Sequence, residues 1–288
     1  MKVHHRQIQS MGTRLDMVLA GLEPERCDAL VKEVKTECDR IEGLLSIYRF
    51  DSVVSLLNRT AHAGIIELDP ELIGIFNEIA ALNRETGGYF DVTMAPVSDF
   101  IRDHEGQILP LAGEIREKVG MDKMELGPGG IRFTRKGVTI DLGGYGKGYA
   151  VKRMLPVLES YRVEHALISF GESLVYGWGT HPYGETWKVA VPAEEGGEPV
   201  QFDLKYEALS TSGNSLNNQK KFANSGHIVN PVTLQMAMQS GLVSVKSKDP
   251  VRAEVFSTAL FSAGPERSGE ISQKTPDLEV RWVVPDDD

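Results

Sequence analysis

Apolar residues recur at intervals of three and four in several segments of the chain, which is the spacing of one buried helix face. The longest such stripe predicts a helix over Pro24–Tyr48. A second helix is predicted over Pro70–Glu85, between an Asp-Pro start and a Gly-Gly end. The same spacing predicts helices over Pro110–Val119, Lys147–Tyr161 and Arg252–Ser262.

Other segments alternate apolar and polar residues or form short apolar runs between turns, as β-strands do. Thr13–Leu19 is the first, and Ile131–Thr134 and Val138–Asp141 are predicted to pair as a hairpin. Strands predominate later, at Ala166–Ser169, Leu174–Tyr176, Trp187–Val191, Val200–Leu204, Ala208–Ser212, Leu242–Val245 and Leu278–Val284. Helices and strands mix without strict βα alternation, so we predict an α+β fold with mixed antiparallel sheets and packed helices. Residues 193–199 are interpreted as a hairpin loop, and residues 1–288 as a single domain.

Composition narrows the classes of function. The 288 residues carry a net charge of −10, which argues against nonspecific nucleic-acid binding. No apolar run is long enough to cross a membrane, and the first residues lack a signal-peptide pattern, so we expect a cytoplasmic protein. Cys27 and Cys38 lie on one predicted helix, roughly 16 Å apart by its rise, which is too far for a disulfide.

The segment Gly137–Met154 carries the strongest chemical signal. A predicted strand ends at Asp141, four glycines and Lys147 follow, and a helix then begins. Glycines allow backbone to approach a ligand closely, and a helix N-terminus attracts anions. The segment therefore predicts a site for a phosphate-bearing ligand. Its spacing fits neither a Walker A loop nor GxGxxG.

Four further polar clusters each admit a functional and a structural interpretation. The glycines of Thr86–Pro96 suit a helix cap, although the cluster also carries Asp91 and two aromatic residues. Ser210–Asn214 is either a phosphate-binding strand end or a turn. His227 is either structural or catalytic. Glu254 and Thr258 share one face of a helix, where they either hold a hard cation such as Mg²⁺ or form an ordinary pair.

The order of these motifs is more specific than any one of them. Met11-Gly-Thr13, Thr86–Thr93, Asp141–Gly148, Thr211-Ser-Gly213, His227–Pro231 and Ala253–Ala259 follow one another. This order resembles the FAD:protein FMN transferase family of the ApbE type over roughly residues 8–284. The resemblance implies a T-fold-related α+β architecture and an enzyme that uses Mg²⁺ to transfer FMN from FAD to a threonine of a partner protein, releasing AMP. Hydrolysis of FAD to FMN and AMP is a related activity of the family.

The resemblance also implies roles for individual residues. His227 would act in the transfer step. Gly144 and Gly146 lie in the stretch that lends the metal an oxygen, and Glu254, Ser257 and Thr258 match the metal-binding helix. The flavin nucleotide would be bound by Met11, Tyr48, Tyr89, Phe90, Asp91, Asp141, Lys147 and Ile228.

Three positions depart from the usual family pattern. Glu254 and Asn230 each stand where Asp is usual, and Gly171-Glu172-Ser173 replaces Gly-Gly-Asn/Asp. Asn cannot neutralise a cation, and Glu places its carboxylate one methylene further out. The alternative hypothesis is therefore a flavin-binding relative without transferase activity, which uses the flavin for redox chemistry or carries it.

Overall fold

The computed structural model describes residues 1–103, 113–192, 198–214 and 228–283. A seven-stranded sheet, antiparallel at every pairing, forms the centre of this part of the chain. The strands are β1 (Val3–Ser10), β2 (Thr13–Ala20), β3 (Met124–Gly127), β4 (Gly130–Phe133), β5 (His165–Phe170), β6 (Leu174–Gly179), β7 (Trp187–Val191), β8 (Val200–Leu204), β9 (Glu207–Asn214), β10 (Val229–Asn230), β11 (Gln235–Met236), β12 (Gly241–Ser247) and β13 (Glu279–Val283). Their order in the sheet is β1-β2-β5-β6-β9-β12-β13, and β3-β4, β7-β8 and β10-β11 form two-stranded pairs.

Helices pack over one face of the sheet. They are α1 (Pro24–Leu45), α2 (Val53–Thr60), α3 (Pro70–Glu85), α4 (Ala95–Asp103), α5 (Gly113–Arg116), α6 (Gly146–Ser160), α7 (Pro250–Ala263) and α8 (Pro265–Gln273). Short 3₁₀ turns cover Val92–Met94 and Met121–Lys123. Helix α7 lies between the sheet and α6 and contacts β9, β12 and α6. Most of its residues are buried, as expected of a central helix, and the buried ones include the polar residues Glu254, Ser257 and Ser262.

The β7-β8 hairpin covers part of the opposite face. Trp187 and Phe202 pack there against Leu209 of β9, and Val18 and Leu167 join them. Successive residues of a strand point to opposite faces. Met17 and Ile168, the neighbours of Val18 and Leu167, accordingly lie in the main core with the helices.

The predicted α+β class is confirmed, and most of the predicted elements occur within a few residues of their expected bounds. Residues 193–197 lie outside the described part, but the flanking strands β7 and β8 pair with each other, as a hairpin requires. Both cysteines are buried and free. No helix in the described ranges is both long and apolar enough to cross a bilayer.

Two predictions of local structure need correction. The hairpin partner of β4 is Met124–Gly127, not Val138–Asp141, and the latter segment is irregular backbone. Of the helix predicted over Pro110–Val119, only Gly113–Arg116 is helical among the residues that the structure describes. Residues 110–112 lie outside them.

Candidate functional site

Two open cavities meet where the glycine-rich turn precedes α6. The first has a volume of about 420 Å³ and the second about 520 Å³. Both are lined by Asp141, Gly143, Lys147 and Ser173. A ligand with two unlike ends can therefore place one end in each cavity and its middle beside Lys147.

The first cavity collects residues from distant parts of the chain. Nine of the predicted site residues line it. Two of them, Asp141 and Lys147, also line the second cavity, and the other seven are Tyr89, Phe90, Asp91, Gly144, Ile228, Glu254 and Thr258. The hydroxyl-rich segment Ser210–Gly213 lines the same cavity. That segment belongs to strand β9, so its interpretation as a turn is wrong.

One wall of the first cavity is built from the end of α3 and the turn that follows it. The Phe90 N–H donates to Thr86 Oγ1 at 3.2 Å, and its carbonyl accepts from Asn83 Nδ2 at 2.6 Å. Asp91 Oδ1 accepts from the N–H and the hydroxyl of Thr93, at 2.7 and 2.6 Å. The cluster is therefore both a helix end and a cavity wall.

Hydrogen bonds with Asn58 and Val92, neither of which lies in a strand, hold Asp141 and the residue before it in place. The side-chain amide of Asn58 bonds both backbone groups of Ile140, donating at 2.9 Å and accepting at 2.8 Å. The Asp141 N–H donates to the Val92 carbonyl at 2.7 Å. Because Val138 and Ile140 are buried, the segment has the alternation of a strand, but an amide side chain replaces the neighbouring strand.

The carboxyl groups of Asp91 and Asp141 are both largely buried, and each has its own neighbours. Burial raises the pKa of each above its ordinary value of 3.8, and hydrogen bonds from Thr93 and Gly143 respectively oppose that rise. A buried carboxyl group with few donors is costly to ionise, so these two groups are suited to hydrogen-bonding a polar ligand.

Glycines at the start of α6 permit two close approaches, at Gly146 and Gly148, whereas the contacts at Gly144 are of ordinary length. A Cβ at Gly144 would lie 3.5 Å from Phe90 Cε2 and from Thr258 Oγ1, and one at Gly146 would lie 3.1 Å from Met11 Cε. A Cβ at Gly148 would meet the Pro250 carbonyl oxygen at 2.6 Å. Helices α6 and α7 therefore touch through backbone at this point, which brings Glu254 to the first turn of α6.

The Glu254 carboxylate joins the two helices. Its Oε2 accepts the Gly148 N–H at 2.6 Å, and its Oε1 lies 2.6 Å from Lys147 Nζ as an ion pair. Tyr145, the N-cap of α6, makes no side-chain cap bond, so Glu254 supplies the acceptor that this helix start lacks. A carboxylate also interacts favourably with the positive end of a helix.

Ser257 and Thr258 occupy different surroundings on α7. Ser257 is fully buried, and its hydroxyl lies 2.9 Å from each of the Ser210 and Ser212 hydroxyls and 3.0 Å from the Glu254 carbonyl. Thr258 lines the first cavity, whereas Ser257 is not among the lining residues. Ser257 thus bonds α7 to strand β9, and Thr258 presents an oxygen to a ligand.

The second cavity lies under the β1-β2 hairpin. Met11 and Tyr48 line it, as does Gly146. The Met11 N–H donates to Glu42 Oε2 at 3.3 Å, which ties the hairpin tip to α1. Tyr48 is 87% exposed, so its ring is available to stack on a planar ligand.

The segment after residue 227 has one predicted site residue within reach of the cavity. Ile228 is buried at its edge. Asn230 is bound to the backbone instead: its Nδ2 donates to the Ser262 carbonyl at 2.9 Å and its Oδ1 accepts from Val232 at 2.9 Å. His227 lies outside the described residues, and its role stays a prediction.

Several lining residues were not among the predicted site residues: Met94, Ala95 and Ser98, for example, line the first cavity, and Glu42 and Ser46 line the second. Met94 and Ala95 fall within the Thr86–Pro96 cluster, whereas Ser98, Glu42 and Ser46 belong to no motif of the sequence. Ser173 lines both cavities, and the sequence marked it only as part of a departure from the family pattern.

The donors around Glu254 suit a hard cation. No cluster of three or more His, Cys, Asp or Glu side chains that could hold a metal occurs within the described ranges. The oxygens present are the Glu254 carboxylate, the Thr258 hydroxyl and the backbone of the turn at Gly144. Glu254 Oε1 is buried, and its 2.6 Å contact with Lys147 Nζ is an ion pair without hydrogen-bond geometry. Mg²⁺ typically takes one or two carboxylates plus substrate phosphates and waters, so these residues fit it.

Comparisons with known proteins agree on one family. A family model described as "ApbE family" matches residues 11–282. FAD:protein FMN transferase of Salmonella typhimurium is 24% identical over 282 residues, covering 92% of this chain and 80% of that protein. The Escherichia coli K12 protein of the same name is 23% identical over 285 residues, covering 92% and 80%.

Solved structures give the same result for the fold. The apo form of Pseudomonas stutzeri flavinyl transferase ApbE has a TM-score of 0.86 and 22% identity, covering 99% of this chain and 92% of that one. Flavin transferase ApbE from Vibrio cholerae has a TM-score of 0.84 and 21% identity, covering 100% and 95%. The predicted α+β architecture is therefore confirmed by its structural neighbours.

Proposed function

The chain belongs to the ApbE family, and we propose that it transfers FMN from FAD to a threonine hydroxyl of an acceptor protein, with Mg²⁺ and with release of AMP. The family predicted from the order of the motifs is the one that the family model matches over residues 11–282. The names of the relatives agree with the predicted enzyme class.

The meeting of the two cavities at Lys147 is the observation that carries this proposal. FAD has an isoalloxazine ring at one end, an adenosine at the other and a pyrophosphate between them. The exposed Tyr48 ring beside Met11 suits the flavin, and the buried carboxyl groups of the first cavity suit hydrogen-bonding to the other end. Lys147 and the N-terminus of α6 then lie beside the pyrophosphate, where positive charge is favourable.

The transfer forms one bond and breaks one. The threonine Oγ attacks the phosphorus of the FMN half, the bond from that phosphorus to the bridging oxygen breaks, and AMP leaves with that oxygen. The hydroxyl proton passes to a base. Catalysis of such a transfer is mainly positioning and neutralisation of charge. Here Lys147 supplies positive charge, and the glycine turn lets the chain approach the phosphates closely.

His227 is proposed as the base that takes the threonine proton. A positioned general base typically contributes about 10²–10⁴-fold to a rate. Ile228 and Val229, which directly follow His227 in the sequence, line the first cavity, and this supports the assignment.

Glu254 and Thr258 are proposed to hold Mg²⁺, with an oxygen from the turn at Gly144. When bound, the metal neutralises charge on the pyrophosphate. The one methylene that distinguishes Glu254 from the usual Asp extends the carboxylate to the Gly148 N–H. The metal would therefore bind beside the start of α6.

An assay of FAD cleavage tests the proposal against its alternative. We expect purified protein with FAD and Mg²⁺ to release AMP, measured by chromatography, and the release to stop when EDTA is added. Retention of intact FAD, with or without an acceptor protein, together with a flavin that is reduced while bound, would favour the flavin carrier or redox protein instead.

A further inference from the structure

We propose that Lys147 and Mg²⁺ compete for one oxygen of Glu254, so that the metal binds tightly only after a pyrophosphate has drawn the Lys147 ammonium away. This inference rests on the metal assignment of the proposed function and adds a dependence between the two ligands. In this proposal the Lys147 ammonium pairs with the Glu254 carboxylate when no nucleotide is bound and with the pyrophosphate when one is.

The occupancy of the Glu254 carboxylate is the first step of the argument. Oε2 is engaged by the Gly148 N–H at 2.6 Å, and breaking that bond would leave a buried N–H without a partner. Oε1 is therefore the oxygen left for a metal. Lys147 Nζ lies 2.6 Å from Oε1. The ammonium therefore occupies the position beside Oε1 that a metal ion would take.

Burial strengthens this competition. The Glu254 side chain is 4% exposed and that of Lys147 is 23% exposed, so water screens the pair poorly. An ammonium in contact with the carboxylate neutralises it, and two cations beside one carboxylate repel each other. A divalent ion that arrives alone must displace the Lys147 ammonium from this buried ion pair.

Lys147 has a second position available once a nucleotide is bound. Its side chain lines both cavities where they meet, and Cδ would lie 3.4 Å from a Cβ at Gly171, so the aliphatic stem runs past the β5-β6 turn. A lysine ammonium is a compact charge on a flexible stem. A pyrophosphate at the junction of the cavities would offer the ammonium an anion without moving the backbone.

The consequence is positive coupling between metal and nucleotide. Pyrophosphate removes the competitor from Glu254 and adds phosphate oxygens to the metal's ligands. By linkage, the factor by which nucleotide tightens metal binding equals the factor by which metal tightens nucleotide binding. Couplings of this kind are typically about 5–150-fold.

The affinity of nucleotide-free protein for Mn²⁺, followed by the electron paramagnetic resonance of the free ion, tests the inference. We expect Lys147→Gln to bind Mn²⁺ on the order of tenfold more tightly than the wild type. Lys147→Arg keeps the cation and should stay weak. Lys188→Gln is the charge-matched control, because Lys188 is 73% exposed and pairs with Asp203 on the β7-β8 hairpin, and it should leave the affinity unchanged.

Saturating ADP, which carries a pyrophosphate but no flavin, extends the test. We expect ADP to tighten Mn²⁺ binding to the wild type, after correction for Mn²⁺ bound by ADP alone, and to change the Lys147→Gln affinity much less. Circular dichroism of each variant checks that it is folded.

Two results would overturn the inference, and only the second also bears on the proposed function. Equal Mn²⁺ affinity of wild type and Lys147→Gln without nucleotide would remove the competition while leaving the metal site. Absence of Mn²⁺ binding to either protein, with or without ADP, would remove the metal assignment as well. The EDTA arm of the FAD assay then distinguishes the two parts of the proposed function, because AMP released in EDTA would show that FAD is cleaved without a metal.

Discussion

Asn230 donates its side-chain amide to the Ser262 carbonyl at 2.9 Å, and this bond connects the β10 turn to the end of α7. The Asn230 Oδ1 accepts from the backbone N–H groups of Val232 and Thr233. Asn230 lines neither cavity. The amide that replaces the family's usual carboxylate therefore has a structural role here, and it does not argue against cleavage of a pyrophosphate.

Asn230→Asp should destabilise the protein. An ionised oxygen would face the Ser262 carbonyl in place of a donor, and loss of a hydrogen bond typically costs about 0.5–1.5 kcal/mol. We expect a lower free energy of unfolding in urea at pH 7. The matched control is Asn77→Asp on the exposed side of α3, which should change stability by less than about 0.5 kcal/mol. Equal effects of the two variants would contradict the structural role of Asn230.

Gly148→Ala should separate α6 from α7. The added methyl would meet the Pro250 carbonyl oxygen at 2.6 Å and the Val251 Cα at 2.8 Å, and overpacking of this kind typically costs about 1–3 kcal/mol. Gly74→Ala on α3 is the same substitution with nothing within 4 Å of the new methyl. It should stabilise the protein by about 0.5–1 kcal/mol through helix propensity. Thermal unfolding of both variants measures the difference, and a stable Gly148→Ala protein would be inconsistent with the backbone contact.

Substitutions at two neighbouring residues of α7, Ser257 and Thr258, should have different effects: one on the stability of the protein and the other on its dependence on Mg²⁺. Thr258→Val removes the hydroxyl that lines the cavity and should raise the Mg²⁺ concentration needed for half-maximal FAD cleavage by at least about tenfold, since loss even of a group that supports a metal ligand typically costs about 10–100-fold in affinity. Ser257→Ala removes a hydroxyl bonded to Ser210 and Ser212. It should lower the free energy of unfolding by about 1–3 kcal/mol and leave that Mg²⁺ concentration unchanged. The reverse pattern would assign the metal to Ser257.

Asp141→Asn should stabilise the protein at neutral pH while weakening FAD binding. Burial raises the folded-state pKa of Asp141 above its ordinary value of 3.8, so ionisation costs the folded state free energy above that raised pKa. The cost vanishes as the pH falls below the value for the unfolded chain. The gain in melting temperature should therefore be present at pH 7 and shrink towards pH 4.

The control for that gain is Asp28→Asn, which removes an exposed carboxylate paired with Arg6. An exposed pair of this kind contributes little to stability, so no gain is expected at pH 7. A gain in melting temperature of equal size for Asp141→Asn at pH 7 and pH 4 would mean that ionisation is not its source.

The sequence predicted elements best where one face is buried. Helix α3 begins and ends where its Asp-Pro start and Gly-Gly end place it. Strand β1 was missed because it lies at the edge of the sheet, pairs with β2 alone, and has exposed and half-buried positions in place of an apolar face. Val138–Asp141 was misassigned because burial alternates there although the partner is the Asn58 side chain.

The order of the motifs identified a site whose residues lie far apart in the chain. The sequence placed Asp141, Lys147, Glu254 and Thr258 in one site through motif order, and all four line the first cavity. It could not reveal that Glu254 reaches back to Gly148, because that contact depends on how closely two helices pack. Nor could it assign Glu42 or Ser46 to the second cavity, since they differ from other helical residues only by position.

Labelling of an acceptor protein is the most direct test of the central claim. Enzyme, FAD and Mg²⁺ are incubated with an acceptor that carries the target threonine, and AMP and the intact mass of the acceptor are measured together. Equal amounts of AMP and of acceptor bearing one FMN are expected, with none on an acceptor whose threonine is replaced by valine. Unmodified acceptor beside intact FAD would contradict the proposed transfer.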